Sequence, residues 1–213
     1  VDQNDEQPAA KYAPEIFIQA SLEDAKAIIL MPEVGLTTDQ RWEQETAWLE
    51  ERVKFDPGLV IDYGCGVGRM SKVIDKQNPV LGVDISPTMR NLAPDYVAKP
   101  EFGVTHPFFL RNMVDAGLRA VGGLSVWCLQ HCLDLEYDCQ LIYDALIPGA
   151  KFYTLDGPRR YIPATVNETE FTWANDGKSV EEALFKAGFT FECMEYPPKL
   201  LCQAGSKFTL WIR

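Results

Sequence analysis

Two aspartates, Asp62 and Asp84, bracket three glycines at alternate positions, Gly64, Gly66 and Gly68. Glycine reaches positive φ without strain and lets a ligand approach the backbone with no Cβ in the way. The dinucleotide-binding fingerprint G-x-G-x-x-G places its third glycine three residues after the second. Here the interval is two, and an acid sits two residues before the first glycine. A pyrophosphate near Asp62 would be repelled, whereas a cationic ligand would be attracted. Asp84 follows at about the distance of an acid that binds a sugar cis-diol. A carboxylate accepts hydrogen bonds from both hydroxyls and would clash with a 2′-phosphate.

These residues need two strands and a helix to hold them. The run Leu59-Val60-Ile61 predicts a buried strand, and 69–77 predicts a helix after the turn. Pro79-Val80-Leu81-Gly82-Val83-Asp84 predicts a second strand that presents its acid at the carboxyl end. A strand, glycine turn and helix of this kind form a crevice at the carboxyl edge of a parallel sheet. The segment D-x-G-x-G-x-G, here DYGCGVG, resembles motif I of the class I S-adenosylmethionine (SAM) dependent methyltransferases, and GVDIS resembles their second motif. The resemblance implies SAM as cofactor, with S-adenosylhomocysteine as product. It assigns cofactor contacts to Asp62, Gly64, Cys65, Gly66, Asp84 and Leu129, with Ile85 packing on the adenine.

Upstream, Arg41, Trp42, Glu45 and Thr46 form an RWxxET segment. In many such enzymes a segment here folds over the cofactor. Arg41 is then expected to pair with the methionine carboxylate and Trp42 to line the pocket. The alternative is a solvated arginine and a core tryptophan. Downstream, LSVWCL at 124–129 predicts a central strand, and the following Gln130-His131-Cys132-Leu133-Asp134 resembles the fourth motif, which faces the transferable methyl. LIPGAKFYTL is similar to the L-x-P-G-G turn and strand of the superfamily. One departure stands out. Many relatives carry an acid after the third strand for the adenine amino group, and this chain has His106-Pro107-Phe108-Phe109.

Methyl transfer is a displacement at a carbon already activated by a sulfonium, so alignment is the main task and a base helps only a protonated nucleophile. His131, one of two histidines, is the candidate base or orienting residue; capping the next helix or contacting the loop is the alternative. Cys132 lacks the Pro-Cys context of a cytosine-5 methyltransferase. The spacing of His131, Cys132 and Asp134 suits no metal site. Residues 156–177 show little periodicity and are expected to form an irregular substrate cap. Arg160, Tyr161 and Trp173, with Arg159 and Asp176, are its candidate contacts.

The 213 residues carry a net charge of −11 with pI near 4.7, which disfavours a polyanionic partner such as nucleic acid. The N/D-P-P-Y/F signature of nucleobase amino methylation is absent, so the expected acceptor is a small molecule, with a protein side chain second. The six cysteines form no C-x-x-C pair and are expected to be reduced thiols in a cytoplasmic protein. The start is acidic and polar, with no visible signal peptide, and no apolar run reaches membrane-span length. No membrane partner is expected, and oligomeric state stays open.

The expected architecture is α/β: a three-layer Rossmann-like sandwich with a mostly parallel seven-stranded sheet, its last strand antiparallel, plus N-terminal helices. Residues 1–36 would form an arm and helical extension, and 37–213 the SAM-binding domain. Predicted helices span 15–30 (with Ser21 capping a second piece, and Pro32 and Gly35 ending it), 40–55, 86–96, 111–120 (ended by Gly122-Gly123), 137–146 and 178–186. Two functions besides small-molecule methylation remain: a SAM-binding regulatory protein without transfer activity, and a nicotinamide oxidoreductase, against which the glycine spacing argues.

Overall fold

The computed structural model describes residues 11–30, 35–74, 78–167 and 170–213. The expected helix-stopping Pro32, positions 75–77 and most of the N-terminal arm lie outside those residues; the helix expected at 69–77 ends at Val73. The core is a seven-stranded sheet made of β2 (Val60–Tyr63), β3 (Val80–Val83), β4 (Phe102–Thr105), β5 (Ala120–Val126), β6 (Leu146–Asp156), β9 (Thr190–Glu195) and β10 (Lys207–Ile212). Its order is β4-β3-β2-β5-β6-β10-β9, with β10 antiparallel to both its neighbours and the first five strands parallel. This is the expected sandwich with its last strand reversed. Strand order reverses direction between β2 and β5, which opens a crevice at their carboxyl ends.

Successive residues of a strand face opposite sides, and each side has its own core. Ile61, Phe152 and Trp211 pack with Leu110 of α5 (Pro107–Asp115), Leu141 of α6 (Leu135–Ala145) and Leu184 of α7 (Val180–Ala187). On the other side, Val60, Leu124, Leu155 and Phe208 pack with Leu49 of α2 (Thr38–Arg52) and Met70 of α3 (Arg69–Val73). Each such side chain, fully buried, contributes about 1.5–3 kcal/mol from removal of apolar area. α1 (Leu22–Ile29) and α4 (Pro87–Val97) bring Ala25 and Met89 into a third cluster with Trp42.

Local signals set the helix starts. Ser21 accepts the Asp24 amide and caps α1, and Thr37 with Gln40 forms a reciprocal capping box on α2. The helix expected at 15–30 is in fact a 3₁₀ turn at Pro14–Phe17 followed by α1. The helix expected at 111–120 instead runs Pro107–Asp115. His106 accepts the Phe108 amide through Nδ1 at 3.1 Å and caps it, with Pro107 pre-set for the first turn. The divergent His-Pro-Phe-Phe segment is therefore a helix start.

Gly122 and Gly123 do not end a helix; they lie within β5. A Cβ on Gly122 would come within 2.3 Å of Phe55, so glycine here admits an aromatic ring onto the sheet. The strand expected at 124–129 accordingly begins earlier and ends at Val126. The stretch expected to be irregular, 156–177, holds a hairpin of β7 (Ile162–Asn167) and β8 (Glu170–Ala174). β1 (Lys11–Tyr12) adds to its edge, giving a separate three-stranded sheet. Pro163 and Trp173 face each other in this hairpin, and the mixture of proline, polar and aromatic residues hides the period of two. No helix among the described residues is long and apolar enough to cross a membrane.

Candidate functional site

A cavity of about 220 Å³ opens at the carboxyl ends of β2, β3 and β5. Gly64, Gly66, Asp84, Ile85 and His131 all reach its wall. β2 and β3 are in parallel register, Asp62 beside Gly82 and Tyr63 beside Val83, so the glycine turn and Asp84 leave the sheet side by side.

The turn is tied down by its own chain. The amides of Gly64 and Cys65 both donate to Val83 O, at 2.7 and 3.0 Å, and that of Gly68 to Cys65 O at 2.8 Å. The Gly66 amide donates to Asp84 Oδ2 at 2.8 Å. These four donors are thus unavailable to a phosphate, the opposite of a phosphate-cradling loop. Gly64, Gly66 and Gly68 have φ of +76°, +54° and +83°. A Cβ on Gly64 would lie 2.2 Å from Cys128 Sγ, and one on Gly66 would lie 2.6 Å from Ile29 Cδ1. Both spacing and backbone conformation therefore require glycine.

Asp84 also accepts the Ser86 amide on Oδ1 at 2.8 Å, which leaves each carboxylate oxygen a further lone pair. Arg90, which sequence reasoning missed, donates to the carbonyls of Asp84 and Ile85 at 2.7 and 2.8 Å and fixes their backbone. Burial raises the Asp84 pKa, opposed by the two amides and by Arg90. Ile85 is 39% exposed beside it, an apolar face for a planar ring.

His131 lies in a 3₁₀ turn, Leu129–His131, after β5. Its Nδ1 meets Tyr161 O at 2.5 Å. A carbonyl only accepts, so Nδ1 carries the proton and Nε2 holds the lone pair in the neutral ring. That lone pair faces the Gln130 amide nitrogen at 3.0 Å. Both nitrogens are engaged, and burial lowers the pKa. Phe17 and Trp173 flank the ring at 5.8 and 5.3 Å between centroids.

Several expected contacts stand outside the cavity wall. Asp62 is turned beneath the glycine turn, where Oδ2 accepts the Ser71 amide and hydroxyl at 3.1 and 2.7 Å; burial pushes its pKa to about 6. Cys65 is buried against Gly82. Leu129 points into the core below α6. Arg41 donates to Leu201 O at 2.7 Å, and the Trp42 indole to Tyr96 Oη at 3.0 Å, so both are spent on packing α2.

The expected substrate contacts Arg160, Tyr161 and Trp173 also stand outside this wall. Arg160 is fully buried and donates to Asp176, Leu129 O and Cys132 O, holding the 129–132 turn. Tyr161 supplies the carbonyl that fixes His131. Trp173 packs on the His131 ring from the hairpin.

In their place the wall includes residues the motifs did not flag. Tyr12 arrives through the pairing of β1 with β7, and Phe17 through the adjoining 3₁₀ turn. Tyr63 donates its hydroxyl to Asp138, and both line the cavity. Ile28 and Ile29 come from α1, and Trp127 and Cys128 from the end of β5. The Cys132 thiol is held well above its ordinary pKa by its hydrogen bond with Cys128 and by burial, so it stays protonated. Among the described residues no lysine or arginine lines the cavity, which carries Asp84, Asp134 and Asp138. Among the described residues, no group of three or more His, Cys, Asp or Glu is placed to hold a metal.

The sequence matches no family model, and no curated protein matches it. Solved structures do match. The PH0226 protein of Pyrococcus horikoshii OT3 aligns with a TM-score of 0.60 at 21% identity, over 85% of this chain and 93% of that one. An S-adenosylmethionine dependent methyltransferase from Mesorhizobium loti aligns at 0.56 and 19%, over 81% and 100%. The glycopeptide N-methyltransferase MtfA, complexed with SAM, aligns at 0.57 and 14%, over 79% and 92%. At these identities the likeness is one of fold: this chain has the Rossmann-like fold of SAM-dependent methyltransferases.

Proposed function

We propose that the chain is a SAM-dependent methyltransferase acting on a small-molecule acceptor. The observation that carries this reading is the pairing of Gly66 with Asp84. It consumes a loop amide that a phosphate would need, and it aims a carboxylate with spare lone pairs at the cavity. Asp84 would accept the ribose hydroxyls, Ile85 would pack on the adenine, and Gly64 and Gly66 would let the methionine end lie against the backbone. The acidic lining suits a cofactor with a sulfonium and an ammonium group.

SAM supplies an activated methyl group when bound. The chain's own contribution is alignment in a cavity walled by Tyr12, Phe17 and Trp127, which limits water around the acceptor. His131 orients: with Nδ1 protonated and Nε2 facing Gln130, it keeps the 129–132 turn in place and has no spare lone pair to take a proton. This favours an acceptor that arrives neutral and nucleophilic. The same observation favours a second reading, a SAM-binding protein without transfer activity.

The test is calorimetric titration with SAM and NADH, followed by S-adenosylhomocysteine release across amines, phenols, thiols and peptides. Binding of SAM but not NADH, with turnover of a small acceptor, is expected. Binding without turnover favours the second reading, and turnover confined to peptides moves the acceptor to protein.

A further inference from the structure

The RWxxET segment of α2 does not reach the cavity, yet it is built around a buried carboxylate. Arg41, Trp42 and Glu45 are all buried, Glu45 the most deeply of the three. Spacings of three and four residues put Arg41, Trp42, Glu45 and Thr46 on adjoining parts of one helix face. Glu45 Oε1 accepts two hydrogen bonds from different parts of the chain, from Arg69 at 2.7 Å and from the Trp127 indole at 2.8 Å. Arg41 Nε lies 3.6 Å from Oε2. The Arg69 guanidinium also reaches Thr46 Oγ1 at 3.4 Å and stacks over Trp42 at 5.3 Å.

The two donors have particular addresses. Arg69 is the first residue of α3, directly after Gly68, so it anchors the far end of the glycine turn. Trp127 directly follows β5 and lines the cavity. It holds φ of +58°, a conformation that a bulky residue adopts only when its surroundings impose it. Its amide is fixed by Leu155 O at 2.7 Å and its indole by Glu45. One carboxylate outside the cavity thus joins the glycine turn to the tryptophan at the end of β5.

We propose that Glu45 is a positioning residue for the cofactor cavity, acting through Trp127 and Arg69; the inference rests on the SAM reading above. A buried ion pair adds little stability over apolar packing of the same volume. Its effect is therefore on geometry: it holds the Trp127 ring as a wall and keeps the glycine turn at a set distance from it.

The test is a cycle of wild type, Glu45→Gln, Trp127→Phe and the double variant, with S-adenosylhomocysteine affinity by calorimetry and Tm measured on each. Phenylalanine keeps an apolar ring but lacks the indole donor. Each single variant is expected to weaken binding at least fivefold at a temperature where it is fully folded. The double variant is expected to be no more than twofold weaker than the worse single, because both remove one linkage. If Glu45→Gln fails to fold, Trp127→Phe carries the same fivefold expectation alone. Wild-type affinity in folded single variants, with only Tm lowered, would overturn the inference, as would losses that multiply in the double. Folded wild type that binds no S-adenosylhomocysteine would overturn the cofactor reading itself, and this inference with it.

Discussion

The Gly66 amide and the Asp84 carboxylate are joined by a 2.8 Å hydrogen bond between the loops that follow two adjacent parallel strands. The bond couples the two motifs that stand out in the sequence. The glycine turn is shaped by Asp84, and Asp84 is aimed by the glycine turn. With Gly64 and Cys65 both donating to Val83 O, the turn spends these amides within the chain and leaves them unavailable to a phosphate.

The glycine requirement at position 64 has steric and backbone parts that can be separated. Gly64→Ala meets Cys128 at 2.2 Å and sits at positive φ, whereas Gly149→Ala sits at φ of +79° with no described atom beyond its chain neighbours within 4 Å. The conformational cost alone is about 1–2 kcal/mol, and overpacking adds about 1–3 kcal/mol. Thermal melts should show Gly64→Ala losing more than Gly149→Ala by about 1 kcal/mol or more, which is roughly 2–4 °C in a chain of this size. Equal losses would mean that Cys128 moves aside without cost.

His131 should titrate below the ordinary histidine value of 6.5, because burial disfavours its charged form. Its folded pKa is depressed, so its contribution to stability is present above the unfolded value and is lost as pH falls through the folded one. Imidazole NMR, assigned with His106→Gln, measures this directly. A His131 pKa above 6.5 would contradict the engaged, neutral ring, and so would a turnover profile governed by a histidine titrating near neutrality.

Asp156 is buried at the end of β6, with one oxygen accepting the Gln130 backbone amide and the other without a hydrogen-bond partner among the described residues. Burial raises its pKa from 3.8 to about 7. The protonated form is favoured in the fold, so its contribution is full below the unfolded value and fades as pH rises through about 7. Asp156→Asn should therefore be more stable than wild type at pH 8, by on the order of 1 kcal/mol, or about 2–4 °C. The gap should narrow or reverse at pH 5. A gap independent of pH would show that Asp156 is ionised throughout.

The sheet was legible because buried strands such as Val60–Tyr63 and Val80–Val83 are short apolar runs bounded by glycine and acid. The position of the crevice followed from the same residues. Gly122 and Gly123 misled because glycine inside a strand looks like a helix terminator unless Phe55, far away in sequence, is known to pack there. The hairpin was hidden for a related reason: β7 becomes a strand through pairing with β1 and β8, which its composition does not announce. Within the site, residues whose backbone forms the crevice could be named from the motif, as with Gly64, Gly66 and Asp84. Residues whose role depends on where a long side chain ends could not. Arg41, Trp42 and Arg160 have the right chemistry for ligands but find partners within the protein. Tyr12 and Phe17 reach the cavity only through tertiary pairing.

The central claim is that Asp84 holds the ribose of an adenosyl ligand. Calorimetric titration of wild type and Asp84→Ala with S-adenosylhomocysteine and NADH tests it most directly. The account predicts that wild type binds the adenosyl ligand and not NADH, and that Asp84→Ala weakens binding at least tenfold, about 1.4 kcal/mol. Folded wild type that binds NADH instead, or an Asp84→Ala variant that retains full affinity, would contradict it.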